Sequence, residues 1–324
     1  MIICCGEALI DMVPERDPQG RELFAPCFGG SPYNTAIAAG RLLGREKTGP
    51  RTAFLARLSR DFFGQALVDH LEQNHVSTDL VVRSGETTTL AFVKLDQGKE
   101  PAYIFYTLGA ADRSLAMADL PPALPPGANC LAFGSISMTM ESSASTIEQL
   151  VLRERGRENG PVISHDPNVR PILIEDRDAY VRRFEGWVRA SQILKISAAD
   201  FDFIYPGLGL EPAVEKLLSM GPCLVAVTLG SQGAMGVLKQ EGGGFIKIFS
   251  PAPELPVIDT IGAGDTFHGA LLAWLEINGR MSPGAIPRLK DRELREALDF
   301  SNKAAAIVCS RKGANPPALA ELKA

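Results

Sequence analysis

The stretch Asp259–Trp274, DTIGAGDTFHGALLAW, sets Gly262, Ala263 and Gly264 directly ahead of Asp265 and then runs into an apolar segment. Residues this small let the backbone turn tightly and leave its N–H groups uncovered. Phe267, Leu271 and Trp274 follow at helical spacing. The turn therefore opens onto a helix N-terminus, whose free donors and partial positive charge suit an anion, most often a phosphate. Asp265 has two readings: a cap for the helix, which is the commoner use of Asp before an apolar run, or a carboxylate that works on the bound anion's partner. The local sequence favours the cap, so the rest of the chain has to decide.

Outward from this stretch, apolar runs bounded by turn residues recur: IICCGEALI, TAFLARL, CLAFGSI, PVISHD, QILKIS and CLVAVTLG. Helical stretches such as YNTAIAAGRLLG, FGQALVDHLEQN and SASTIEQLVLRERG lie between them. That alternation predicts an α/β fold, with parallel strands, crossover helices and a sheet covered on both faces. Ligands of such sheets gather at the C-terminal ends of the strands. Two stretches break the pattern, MVPERDPQGRELFAPC and TTTLAFVKLDQGKEPAYIFYTL, which alternate polar and apolar residues and have no room for a crossover helix. They are expected to form a small antiparallel flap beside the main sheet, with DQGKEP as a hairpin turn. Proline-rich DLPPALPPG reads as a stiff connector.

Composition narrows the function classes. A hydrophobic share of 45% over 324 residues suits a globular enzyme, and a net charge of -5 without a basic stripe argues against nucleic acid or a membrane surface as partner. Cys4, Cys5, Cys27, Cys130, Cys223 and Cys309 lack C-x-x-C spacing, which points away from a zinc site or a disulfide framework. The N-terminal MIICCGEALIDMV has no basic n-region and reads as a first strand, so a cytoplasmic location is expected. His70, His75, His165 and His268 are dispersed, and packing explains each better than shared metal ligation.

Neither GxxxxGK[ST] nor a GxGxxG between strand and helix occurs, so any phosphate falls to the opening stretch. In CFGGSPYNTAIAAGRLLG, Gly29 and Gly30 precede a helix whose first turn carries Asn34. Paired glycines permit close approach of a ligand, and an amide both donates to and accepts from hydroxyls. With Asp11 this could serve a polyol; a plain glycine turn before a helix is the competing account. In SHDPNVRPILIED, Asp166, Asn168 and Arg170 recur at period two, which places them on one side of an extended segment. Arg170 has the fork that matches phosphate oxygens, although an Asp–Arg surface pair explains it nearly as well. CLVAVTLGSQGAMGVL reads as a buried strand, a glycine turn at Gly230 and Gly233, and a second strand, either a plain hairpin or a cover for a nucleotide.

Taken in order, GGSPYN, DPNVR, TLGSQG and DTIGAGD resemble the PfkB or ribokinase-like family of carbohydrate kinases over nearly the whole chain. The resemblance implies one ribokinase-like domain over residues 1–324: a three-layer α/β/α sandwich with a mostly parallel central sheet. It also implies a small antiparallel β lid from about residues 12–28 and 87–107. It reverses the reading of Asp265, which becomes the general base for a sugar hydroxyl, with the N–H groups around Gly262, Ala263 and Gly264 as the anion hole. By the same resemblance Asp11, Gly29, Gly30, Asn34, Phe105 and Arg170 face the sugar, and Ser197, Thr228, Gly230, Gly233 and Asn302 face ATP.

The family's N-x-x-E stretch near metal and phosphates is replaced here by SAAD, so Ser197 and Asp200 stand for the usual pair. Asp200 is then expected to reach Mg2+ only through water. A monovalent cation, K+, is implied between the loops of Asp259 and Gly313. GEALIDM, FYTLGAADR, DPNVR and GANPP resemble the fructokinase branch, which implies fructose phosphorylated at its 6-hydroxyl. The alternative is 2-keto-3-deoxygluconate, for whose carboxylate Arg113 is the candidate partner. A non-catalytic sugar-binding regulator on the same fold is the reading of another class. Exposed strands of the flap are expected to pair across a two-fold axis into a homodimer.

Overall fold

Six of the apolar runs lie side by side as parallel strands, in the order Leu224–Thr228, Ile193–Ser197, Val162–Asp166, Cys130–Gly134, Ile2–Cys5 and Thr52–Ser59. The structure is a computed structural model and describes residues 1–47, 49–94 and 102–323. Short parallel strands Val76–Ser77 and Val81–Ser84 extend one edge, and the antiparallel strands Gly233–Lys239 and Phe245–Pro251 close the other.

Alternation along each strand supplies both faces of the sheet. Ile2 and Cys4 pack with Ile37, Leu67, Phe267 and Leu298, from helices Ser31–Leu43, Phe62–Gln73, Ala263–Ile277 and Asp291–Cys309. Ile3 and Cys5 pack on the opposite face with Leu150, Phe184, Trp187 and Leu217, from helices Ser143–Arg155, Arg177–Ala190 and Leu210–Met220. The result is three layers, helices on both sides of a mostly parallel sheet. Among the described residues no helix is long and apolar enough to cross a membrane.

IICCGEALI differs from the single strand its apolar character predicts. It breaks at Gly6, which takes a φ of +149° and leaves no room for a side chain: a Cβ there would lie 2.5 Å from Pro32 Cγ. Beyond the break, Leu9–Arg16 enters a second, four-stranded sheet in the order Ala102–Tyr106, Leu90–Lys94, Leu9–Arg16, Glu22–Gly29. Each outer pair is an antiparallel hairpin, and the hairpins are joined through parallel pairing of Ile10–Met12 with Leu90–Phe92. The DQGKEP turn lies outside the described residues. Along Ala102–Tyr106, Tyr103 and Phe105 point inward while Ile104 and Tyr106 are each 62% exposed.

Candidate active site

Helix Ala263–Ile277 starts immediately after Gly262, which sits in the left-handed region at φ +74°. A side chain there would also collide with Ala314, whose Cβ would be 2.6 Å away. Asp265 is the third residue of the helix and makes no capping bond. Its carboxylate instead accepts from Ser31 Oγ at 2.7 Å, Asn34 Nδ2 at 2.9 Å and Asn168 Nδ2 at 3.4 Å. The capping account, the favoured local reading, therefore fails: the aspartate is aimed across the molecule.

Two of those donors come from the first turn of helix Ser31–Leu43, which begins at Gly30 with φ +105° and Pro32 near its start. Glu7, released by the break after the first strand, braces this turn. Its Oε1 accepts from Ser31 N at 3.1 Å, and its Oε2 accepts from Ser137 N at 3.1 Å and from the Ser137 hydroxyl. Burial raises the Glu7 pKa above that of an ordinary glutamate, against the pull of these hydrogen bonds. Two helix N-termini thus converge on Asp265.

Asn168 takes φ +35°, so DPNVR is bent and not the extended segment its spacing suggests. Asp166 turns inward to Lys195, whose Nζ donates to its Oδ2 at 2.8 Å, while Arg170 Nη1 donates to Asn168 Oδ1 at 2.8 Å. Asn168 is thereby held between Arg170 and Asp265.

Two cavities meet here. The smaller, about 340 Å³, is lined by Glu7, Asp11, Gly30, Asn34, Tyr103, Phe105, Asn168, Arg170 and the turn Gly262–Asp265. The larger, about 1080 Å³, is lined by Lys195, Ser197, Thr228, Gly230, Gly233 and Asn302, with Pro253, Leu255, Pro256, Val257 and Ala305 as an apolar wall. Asn168, Thr260, Ala263 and Gly264 line both and form the window between them. Both cavities open at the C-terminal ends of the parallel strands, as the fold predicts. A carboxylate beside a window framed by the N-terminal turn of a helix can take a proton from a hydroxyl in one cavity while an anion enters from the other.

Gly29 does not line the smaller cavity. It makes room for Asp11 instead, since a Cβ on Gly29 would fall 2.2 Å from Asp11 Oδ2. Desolvation raises the Asp11 pKa to about 6, against the opposing pull of Arg170. Arg113 donates to Thr107 Oγ1 at 3.2 Å and stays out of the cavity lining, so among the described residues the cation in that cavity is Arg170.

Asn302 Nδ2 donates to the Ser250 carbonyl at 2.9 Å and hydroxyl at 2.8 Å, which fixes it at the wall of the larger cavity. Gly230 and Gly233 take φ +59° and +115°, and the turn they form both joins two antiparallel strands and lines that cavity. The loops of Asp259 and Gly313 meet: Gly313 N donates to Asp259 Oδ2 at 2.9 Å.

Asp200 offers a metal no free oxygen. Its Oδ1 accepts from Val169 N at 2.8 Å, and its Oδ2 accepts from Ser197 N at 2.9 Å and Ser197 Oγ at 2.6 Å. The Ser197–Asp200 pair is a capping box that also ties down the DPNVR loop. Among the described residues no group of three or more His, Cys, Asp or Glu could hold a metal ion.

Sequence reasoning missed Glu7, Ser31, Tyr103 and Lys195. The signal for Lys195 was present, a lone cation inside the apolar run QILKIS.

A model of the pfkB family of carbohydrate kinases matches residues 1–321. The chain belongs to the pfkB family of carbohydrate kinases. It is 37% identical over 303 residues to a fructokinase of Rhizobium leguminosarum bv. trifolii, covering 92% of this chain and 87% of that one. With fructokinase-1 of Oryza sativa subsp. japonica it shares 35% over 324 residues, 98% and 94% of the two chains. Among solved structures it superposes on fructokinase with bound ATP from Xylella fastidiosa with a TM-score of 0.86 at 27% identity, covering 99% and 96%. On the fructokinase from Vibrio cholerae O395 in its fructose, ADP and calcium ion bound form, the TM-score is 0.81 at 25% identity, covering 99% and 97%. The fold of this pfkB carbohydrate kinase is ribokinase-like.

Proposed function

We propose that the protein is an ATP-dependent fructokinase that transfers the γ-phosphoryl group of Mg-ATP to the 6-hydroxyl of fructose. The observation that carries this reading is Asp265, held by Ser31, Asn34 and Asn168 at the window between a polar cavity of sugar size and a longer apolar-walled one. Asp265 takes the hydroxyl proton as the sugar oxygen attacks the γ-phosphorus, and the bond to the β,γ-bridging oxygen breaks to release ADP. The N–H groups of Gly262, Ala263 and Gly264 hold the transferring charge. Magnesium arrives on the nucleotide, consistent with the lack of a free carboxylate at Asp200.

In this reading Asp11, Gly30, Asn34, Phe105 and Arg170 bind the sugar, with Gly29 acting through Asp11. Ser197, Thr228, Gly230, Gly233 and Asn302 hold the nucleotide, and K+ lies between the Asp259 and Gly313 loops. Residues 1–324 act as one domain, with the four-stranded sheet as its lid. Phe24, exposed by 48%, with Ile104 and Tyr106 gives that lid an apolar outer surface, which supports a homodimer formed through it. Six free cysteines support a cytoplasmic setting.

Arg170 in the smaller cavity favours one second reading, a sugar acid such as 2-keto-3-deoxygluconate. The test is ADP release with Mg-ATP and K+ over fructose, 2-keto-3-deoxygluconate, ribose, adenosine and glucose, with Asp265→Asn in parallel. Fructose turnover that collapses in the variant is expected. Preference for the sugar acid moves the substrate, and no turnover on any acceptor leaves a non-catalytic sugar binder.

A further inference from the structure

Behind Asp265, the helix that carries it and the helix that holds it meet the end of a central strand around a third cavity, of about 10 Å³. Its polar lining comes from Ser31 and Thr35 of helix Ser31–Leu43, His268 of helix Ala263–Ile277 and Asp166 of strand Val162–Asp166. That volume is roughly the room one water molecule needs, and a buried water is kept by about two to four polar partners. His268 lies one turn beyond Asp265 on the same face of the helix and is only 2% exposed, so it reaches the interior from beneath the base.

The groups around this cavity are already committed in one direction. Ser31 Oγ donates its proton to Asp265 Oδ1 at 2.7 Å, and Thr35 Oγ1 donates its own to the Asp265 carbonyl at 3.4 Å. Towards the cavity both hydroxyls can therefore only accept. Asp166 accepts from Lys195 Nζ at 2.8 Å and from Asn168 N at 3.2 Å. Burial raises its pKa to about 7 against the pull of Lys195, and above that value it too can only accept. His268 Nε2 pairs with Ser164 Oγ at 2.7 Å, whereas Nδ1 stands 3.9 Å from Asp166 Oδ2 and has no hydrogen-bond partner among the described residues. A gap of that length between two polar atoms is one that a water spans. Burial, with the charge of Lys195 added, pushes the His268 pKa down to about 3, so the ring is neutral and has a single proton to place.

We propose that this cavity is a site for one water molecule, which donates to Asp166 Oδ2 and to the hydroxyl of Ser31 or Thr35 and accepts from a proton on His268 Nδ1. The count of donors fixes the tautomer. A water that gives both its protons to acceptors must receive one from the ring, so Nδ1 carries the hydrogen and Nε2 accepts from Ser164. His268 is then a positioning residue: through the water it steadies the hydroxyls that hold Asp265 and ties them to the DPNVR turn, which brings Asn168 to the same carboxylate. That part in catalysis rests on the kinase reading above, whereas the water and the tautomer do not.

The test starts with wild type at pH 8. A crystal structure at atomic resolution should show a water within hydrogen-bond distance of His268 Nδ1 and Asp166 Oδ2. Nitrogen–proton NMR correlation through the ring, with the His268 signals assigned by their loss in His268→Asn, should show a neutral imidazole protonated at Nδ1. A dry cavity, or a ring protonated at Nε2, would overturn the site. Among variants, His268→Leu removes the donor and should lower kcat about three- to tenfold, the worth of one hydrogen bond, with the KM for ATP unchanged. His268→Asn, whose amide can donate from the place of Nδ1, should recover part of that loss. An unchanged kcat in His268→Leu, or equal losses in both variants that follow only their melting temperatures, would overturn the positioning role. A wild type that holds the water and the Nδ1 proton yet phosphorylates no sugar would refute the kinase reading and leave the site standing.

Discussion

A Cβ on Gly29 would lie 2.2 Å from Asp11 Oδ2, so the absence of a side chain on one strand of the lid hairpin decides where a carboxylate on the other can point. Gly29→Ala must push Asp11 out of the smaller cavity or spread the hairpin, because Leu9 Cδ1 would be 2.8 Å away on the same side. The expected outcome is a sugar KM raised about tenfold, the value of one charge-assisted hydrogen bond, with the KM for ATP unchanged. Initial-rate measurements with each substrate varied in turn check this, and a matching rise in both KM values would sink it.

Asn34→Ala should lower kcat about tenfold and also raise the sugar KM, because its amide holds Asp265 at 2.9 Å and lines the sugar cavity. Loss of the base itself in Asp265→Asn should cost about 10²–10⁴-fold, the usual worth of a positioned general base. If Asn34→Ala instead raised the sugar KM with kcat intact, the amide would be a sugar ligand and not a support for the aspartate.

The strands and the anion turn were legible in the sequence because their determinants are local. Six apolar runs carry their own burial pattern, and Asp259 to Trp274 encodes turn and helix within sixteen residues. Glu7 was illegible for the opposite reason: its meaning lies in Ser31 and in Ser137, 130 residues away. Gly29 looked like a glycine for a ligand's approach, yet the group it admits is a side chain of its own hairpin. The two readings of Asp265, cap or base, could be separated only by partners 97 to 234 residues distant.

Asp11, with its pKa raised to about 6, gives a pH dependence of defined sign. As pH falls through about 6 the carboxylate gains a proton and one acceptor is lost, so sugar affinity should fall, and Asp11→Asn should flatten that limb. Stability runs the other way. The unfolded chain releases this proton near 3.8 and the folded one near 6, so stability is greatest below about 4 and declines as pH rises through 6. Melting temperatures of Asp11→Asn and wild type should therefore draw together below pH 4, with the variant gaining above pH 6.

Asp112 supplies a second case away from the cavities. Its Oδ1 accepts from Thr89 Oγ1 at 2.6 Å, its Oδ2 has no hydrogen-bond partner among the described residues, and burial raises its pKa to about 7. The neutral acid is thus the form the fold accommodates. Asp112→Asn should raise the melting temperature at pH 8, where the wild-type group is forced to ionise, and leave it unchanged below about pH 4, where the group is protonated in both folded and unfolded chains. An equal loss at both values would refute this sign.

The outer surface of the lid carries the last prediction. Phe24 and Tyr106 each make an edge contact to Phe92, with ring centroids 5.1 and 5.6 Å away, so exposed side chains of the two hairpins form one apolar surface and not scattered single residues. A patch of this kind on a sheet with open edges is costly in water and is relieved by a second copy across a two-fold axis. The inward side of the same strand carries Tyr103 and Phe105 over the smaller cavity, so pairing of the outer faces would stiffen the cover of the sugar. Ile104→Glu, on the 62% exposed face, should therefore shift the protein to monomer in sedimentation equilibrium and raise the sugar KM, with ATP affinity retained. A wild type that sediments as a monomer at micromolar concentration would remove the dimer, and a dimeric Ile104→Glu would place its contact elsewhere.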